Sequence, residues 1–263
     1  MRRFLFLSWL NNVKLTVSYK GTRFNGFQIQ PIGRTVAGCL TKAFEKTLGK
    51  SIRVVASGRT DSGVHALGQV INVRVPKSIP LDGLVAGVSS QLPDDIRIFD
   101  PVIMDSEFSS RRSAVSREYC YLFSAFKMPF YLAEVVTQID FVPDDALLPV
   151  FRDILLGQHD FVRFRNTGSI VKSTVREILD FEIVKKNRLQ MHGNGNSIAF
   201  YELKIVANAF LYKMVRNLVG GIFEVLQGRT SPEEFQRYLY GDDISYYYRT
   251  APASGLCLTQ VRY

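Results

Sequence analysis

Cysteine and histidine are scarce in this chain of 263 residues, with three of each. Cys39, Cys120 and Cys257 lie 81 and 137 residues apart. That spacing suits neither a disulfide framework nor a close set of metal ligands, and the chain reads as reduced and cytoplasmic. His65, His159 and His192 form no HxH or HxxxH pair, so no zinc site is expected, and any chemistry falls to carboxylates, tyrosines and other side-chain bases. A membrane-spanning run is missing too. The longest apolar candidate is the seven-residue run Phe4 to Leu10, broken by Ser8, against the roughly 20 residues a bilayer requires. Arg2 and Arg3 before it imitate the start of a signal peptide, but Asn11, Asn12 and Lys14 follow without a small-x-small cleavage site. A docking or frayed N-terminal extension, residues 1–12, is the expectation.

Acidic residues are outnumbered, 24 against 33 basic ones, for a net charge of +9. The excess is uneven: residues 1–105 carry +7 and residues 106–263 carry +2. A polyanion would be drawn mainly to the first part, although a solvated basic surface accounts for the same numbers. Hydrophobic residues at 46% and charged residues at 22% describe an ordinary globular chain and exclude disorder as its main state. The length allows one large domain or two of ordinary size.

Val13, Leu15, Val17 and Tyr19 alternate with polar residues, the period-2 pattern of a half-buried strand. Thr35 caps a predicted helix with apolar residues Val36, Leu40, Ala43, Phe44 and Leu48, stopped by Gly49. Strands are predicted at 52–56 and 70–75, a helix at 81–92 ended by Pro93, and a strand at 96–104. The order then recurs: strand 118–126, helix 143–156, strands 175–184 and 198–206, a long helix 210–227, a second helix opened by the capping box Ser231-Pro232-Glu233-Glu234, and strand 255–261. Each part reads strand, helix, strand, strand, helix, strand. The expected fold class is therefore α+β: two ferredoxin-like halves with antiparallel sheets and helices on one side, 13–105 and 106–263, and an active-site cleft between them.

The segment Gly58-Arg59-Thr60-Asp61-Ser62-Gly63-Val64-His65-Ala66 lies between two predicted strands and is not built like a tight hairpin. Its glycines allow close backbone approach to a ligand, and an arginine two residues from a carboxylate can bracket a reacting centre. A plain Asp/Gly turn with a surface ion pair fits the same residues.

With its neighbours, the segment resembles the signature loop of the TruA family of tRNA pseudouridine synthases. The resemblance extends from Val13 nearly to the C-terminus. It takes in Tyr19 to Gln30 with Gly26-Phe27-Gln28, then Leu92-Pro93, Arg117-Glu118-Tyr119-Cys120-Tyr121 and Gly157-Gln158-His159-Asp160-Phe161. Phe210 to Asn217, Ala251-Pro252 and Gly255-Leu256 complete it. It implies a cofactor-free isomerase acting on uridines 38 to 40 of the tRNA anticodon stem-loop, working as a homodimer. It implies Asp61 as the catalytic aspartate, Tyr119 as the tyrosine stacked on the target base, and Arg216 as the arginine paired with the aspartate. It further implies Arg59 as the residue that helps displace the base, a step required because a stacked base cannot reach a carboxylate. Arg111, Arg112, Arg163 and Arg165 read as phosphate contacts or as solvated surface. His159 reads as structural. Ser62, in place of the more usual alanine, and the Ser245-Tyr246-Tyr247-Tyr248 run depart from the family pattern. Two competing classes fit less well. An RNA-binding module of the RRM type would need RNP-type aromatic strands, and a metal-dependent phosphoryl-transfer enzyme would need a second acidic cluster near Asp61.

Overall fold

Alternation and capping set out the first part of the chain as the residue types dictate. In the computed structural model, which describes residues 10–168, 171–186, 199–241 and 247–263, strand β1 (Leu10–Tyr19) buries Val13, Leu15, Val17 and Tyr19 on one face. It starts before the readable alternation because Asn12, itself buried, is satisfied: its Nδ2 donates to the Asp105 and Phe108 carbonyls at 2.9 Å each, and its Oδ1 accepts from Asn72. Helix α1 (Val36–Leu48) is opened by the Thr35 side chain, which accepts from the Gly38 N–H, and closed by Gly49.

Strand β2 (Val55–Ala56) is shorter than expected, since the Ile52 N–H turns back to the Glu45 carboxylate instead of joining a ladder. Strand β3 (His65–Pro76) is longer than expected, because Ala66 already pairs with Tyr19 of β1. Helix α2 (Leu81–Ser89) ends early: Gln91 and Leu92 form tighter i→i−3 turns that lead into Pro93. Strand β4 (Ile96–Met104) follows.

The chain divides into two compact units, residues 1–115 with 258–263, and residues 116–257. The second begins with β5 (Ser116–Ser124) and the two-residue β6 (Thr137–Gln138), which lies parallel to it. The helix expected over 143–156 is interrupted. A 3-10 turn at Asp145–Leu147 is capped by Asp144, and only Val150–Leu155, after Pro149, is helical (α3). Strand β7 (Gly157–Asp160) pairs with β8 (Val175–Lys186), which pairs with β9 (Phe200–Ala207), which pairs with β5. Helix α4 (Met214–Leu226) starts four residues later than expected, because Lys213 sits at φ +60° and cannot be a helical residue. Helix α5 (Pro232–Tyr240) carries the predicted capping box in full, with Ser231 and Glu234 bonded reciprocally. Strand β10 (Leu256–Arg262) starts in the second unit and ends in the first, where it neighbours β3.

The strand order is β4-β1-β3-β10 in the first unit, with β2 also on β3, and β5-β9-β8-β7 in the second. The described pairings are antiparallel apart from β5 with β6. The chain is thus α+β. The core of the second unit is aromatic, with Phe151, Phe161, Phe164, Phe235 and Tyr238 almost wholly buried. Most of the expected N-terminal extension, His192, the predicted turn at 193–196 and Ser245-Tyr246 lie outside the described residues.

Candidate active site

The loop carrying Asp61 is fixed at both ends by buried polar groups. At its start the Ser57 N–H donates to the Val70 carbonyl at 2.8 Å, and the Ser57 hydroxyl donates to Gln69 Oε1 at 2.6 Å. Gln69, fully buried on β3, donates its Nε2 to the Gly58 carbonyl at 3.1 Å. At its far end His65 Nδ1 accepts from the Gly21 N–H at 3.1 Å, which puts the proton of the neutral ring on Nε2. His65 is a buried structural residue here, and His159, whose Nε2 lies 3.0 Å from the Leu156 carbonyl, is anchored likewise.

Between those ends the loop rests on residues 21–35. The Thr60 carbonyl accepts from the Phe27 N–H at 3.0 Å, and the buried Thr60 hydroxyl bonds the Tyr19 hydroxyl at 2.7 Å. The Phe24 carbonyl accepts from the Gly63 N–H at 3.3 Å and from the Ser62 hydroxyl at 3.1 Å. Asp61 therefore has a tethered residue on either side, with its own side chain half-buried, while Arg59 is exposed. Gly26 makes the close contact possible. It sits at φ +82°, and a Cβ there would come within 2.8 Å of the Thr60 carbonyl oxygen. The supporting segment is itself latched, because Arg34 makes two 2.7 Å bonds to the Asp95 carboxylate and stacks 4.2 Å from the centre of the buried Phe24 ring. Such a two-point fork is specific to arginine.

Arg111 and Arg112 belong to the same unit and are exposed. They directly follow Ser110, which is wholly buried: its N–H donates to Asn72 Oδ1 at 2.9 Å and its hydroxyl to the Val55 carbonyl at 2.8 Å. The pair thus stands on a turn tied to β2, the strand that leads into the Asp61 loop.

In the second unit Tyr119 lies on β5, half-buried, with its ring edge-to-face against Phe210 at 5.2 Å. Arg216 lies in the first turn of α4 and is half-buried; its Nε donates to the Ala251 carbonyl at 2.8 Å, and the Ala251 N–H donates back to the Arg216 carbonyl at 3.0 Å. The stretch 249–252 can lie this close to α4 because position 220 is glycine; a Cβ there would overlap the Arg249 carbonyl oxygen. Beside Arg216, Asn217 bonds the Phe164 carbonyl, Asn166 and Thr250. Arg163 and Arg165 line a cavity of about 280 Å³ in this unit, together with Asn166, Tyr238 and Tyr247. The Arg163 guanidinium donates to the Gly241 carbonyl at 3.0 Å and lies over the Tyr238 ring.

Thr60 and Tyr121 stand in the quoted motifs without an assigned role and Gln69 lies outside them, yet all three hold these segments. Tyr121 lies two residues beyond Tyr119 on the same strand face. Among the described residues, no cluster of three or more His, Cys, Asp or Glu could hold a metal ion, and no helix is long and apolar enough to cross a membrane.

The family model for tRNA pseudouridine synthase matches residues 15–102 and 153–263, which include Arg59, Asp61, Arg163, Arg165 and Arg216. The chain belongs to the tRNA pseudouridine synthase family, cofactor-independent isomerases that act on tRNA. More particularly, it is similar to proteins named tRNA pseudouridine synthase A. The one from Maridesulfovibrio salexigens is 38% identical over 97% of this chain and 91% of its own length. That from Lacticaseibacillus casei is 38% identical over 97% and 100%, and that from Brachyspira hyodysenteriae 37% over 94% and 96%.

Proposed function

We propose that this chain converts uridine to pseudouridine at positions 38 to 40 of the tRNA anticodon stem-loop, with Asp61 as the catalytic carboxylate. The observation that carries the assignment is the bracing of the Asp61 loop, whose backbone is tied on both sides of a half-buried carboxylate. The reaction breaks the N1–C1′ bond, turns the base, and forms a C5–C1′ bond. C5 loses a proton and N1 gains one, so the formula is unchanged and no oxidant or reductant takes part. A carboxylate suits this chemistry, as a nucleophile toward the ribose or the base, or as a stabiliser of positive charge while the bond loosens.

In this reading Tyr119 stacks on the displaced base, and Arg216 keeps the carboxylate ionised and oriented. Arg59 helps extrude the base, while Arg111, Arg112, Arg163 and Arg165 contact phosphates. The enzyme acts in the cytoplasm as a homodimer. The ferredoxin-like reading of each half is supported in the first unit by its antiparallel order β4-β1-β3-β2.

The test uses tRNA carrying tritium at C5 of uridine, with variants that place a single uridine at 38, 39 or 40. Asp61→Asn is expected to release no tritium while binding tRNA within a few fold of the unaltered protein. Release within tenfold of the unaltered rate would overturn the assignment of Asp61, and release from uridines outside 38 to 40 would overturn the site.

A further inference from the structure

The carbonyl that receives Arg216 belongs to a short strap, residues 249–255, and a chain of hydroxyls beneath the strap sets its orientation. Tyr121, with no exposed surface, donates its hydroxyl proton to the Pro252 carbonyl at 2.9 Å. The same Tyr121 oxygen lies 2.9 Å from Thr137 Oγ1, and Thr137 Oγ1 lies 3.2 Å from Ser254 Oγ. A hydroxyl has one proton and a carbonyl has none to give. With the Tyr121 proton committed to Pro252, Thr137 must donate to Tyr121, and Ser254 must then donate to Thr137. The direction Ser254→Thr137→Tyr121→Pro252 follows from the carbonyl at its end, and each bond polarises the next. Burial holds the Tyr121 hydroxyl well above the ordinary tyrosine range, so it stays a donor at any working pH; its bond to Thr137 and the nearby Arg216 charge oppose this only in part.

The Ala251–Pro252 peptide is consequently held on two sides. On one, the Ala251 N–H is bound to the Arg216 carbonyl at 3.0 Å. On the other, the proline ring fixes φ at residue 252, and the Pro252 carbonyl is bound to Tyr121. The Ala251 carbonyl between them can point only one way, and Arg216 Nε follows it. With Nε engaged, the two terminal nitrogens of the guanidinium form a fork whose plane is set by the strap.

We infer that Tyr121, fed by Thr137 and Ser254, is a positioning residue for Arg216: it aims the guanidinium through the Pro252 and Ala251 carbonyls without touching substrate. This rests on the reading above in which Arg216 acts in the reaction.

The test is Tyr121→Phe, which keeps the ring packed between Phe123 and Phe223 and deletes one hydroxyl. Thr137→Val is the second variant, which removes the donor to Tyr121 and is expected to act in the same direction more weakly. In Tyr121→Phe, kcat is expected to fall about tenfold with KM for tRNA within about twofold, because alignment and not binding is lost. Protein labelled with 15N-arginine supplies the second readout: the Arg216 Nε–H signal, assigned by its absence in Arg216→Met, is expected to shift and to exchange faster with water. A kcat within twofold of the unaltered enzyme, or an unmoved Nε–H signal, would overturn the inference, whatever happens to the melting temperature. If Arg216→Met retains full turnover while the Nε–H signal moves in Tyr121→Phe, the tether stands and the catalytic reading of Arg216 falls.

Discussion

Replacing Gly26 by alanine tests whether the Asp61 loop owes its position to the backbone contact beneath it. The added Cβ would lie 2.8 Å from the Thr60 carbonyl oxygen and 3.2 Å from both the Asp61 carbonyl carbon and the Ser62 nitrogen. All three are backbone atoms of one loop, so no side chain can swing aside. Restoring an ordinary contact of about 3.4 Å moves the loop by roughly 0.6 Å. The left-handed φ of +82° adds about 1–2 kcal/mol for a residue with a Cβ. With the contact strain, the total is roughly 2–4 kcal/mol, or about 6–15 °C of melting temperature for a unit of this size. A 1 Å misplacement of a reacting group costs about a hundredfold in rate, so a shift of this size should lower kcat by roughly ten- to thirtyfold. Steady-state tritium release, measured well below the melting temperature beside a thermal melt, reads both quantities. A fall in melting temperature of the expected size with kcat unchanged within twofold would refute the argument, since the loop would then reach its working position without the support of residue 26.

The latch under the same loop makes a related prediction. Arg34→Lys should lose most of the two-point bond to Asp95 and lower kcat several-fold, and Asp95→Asn should match it, as tritium release will show. Deleting Arg111 and Arg112 together should flatten the slope of log tRNA affinity against log salt by about two units; an unchanged slope would mean that neither meets a phosphate. For Asp180, hydrogen bonds from Lys204 and then Arg152 hold the carboxyl below its usual range, so its stabilisation is present above about pH 4 and disappears as the pH falls through its lower folded value. Asp180→Asn should therefore cost up to about 1 kcal/mol at pH 7 by urea melts, given the partial exposure of the pair, and progressively less as the pH falls through the lowered folded value of the carboxyl. Burial, with smaller contributions from Glu202, Cys257 and Glu118, pushes the Cys120 thiol up to about 12, so folded protein at pH 8 should leave Cys120 unalkylated by iodoacetamide and unfolded protein should not.

Strong local signals were legible in the sequence: the alternation of β1, the Thr35 and Gly49 ends of α1, the capping box of α5, and the loop between strands that holds Asp61. What was not legible depends on partners distant in the chain. β6 and β7 are two and four residues long, without an apolar alternation of their own, and exist because β5 and β8 offer open edges. Asn12 is buried in a strand only because Asn72 and two loop carbonyls satisfy it. The positive φ of Lys213 gives no sign in a residue type that seldom adopts it, so the start of α4 was placed too early. At the candidate site the residue types were readable, but the bonds from Tyr19 to Thr60, Gln69 to Gly58 and Tyr121 to Pro252 join segments 41, 11 and 131 residues apart.

The return of residues 258–263 to the first unit has a consequence for synthesis. Until they emerge, the part of β3 around Gly68, against which Thr259 finally packs, is an open strand edge with its N–H and C=O groups exposed. Ser116 to Cys257 must be translated in between, which takes roughly 7–30 s at typical rates. During that interval the half-made unit offers a template to any extended neighbour on the same polysome. The clasp of Tyr263 on the Ser110 carbonyl, with Phe108 packed beside its ring, closes that interval. That clasp adds to the bonds Ser110 already makes to Asn72 and Val55, so a nascent chain stalled inside the second unit has every residue of the Asp61 loop and lacks the strand that completes its sheet.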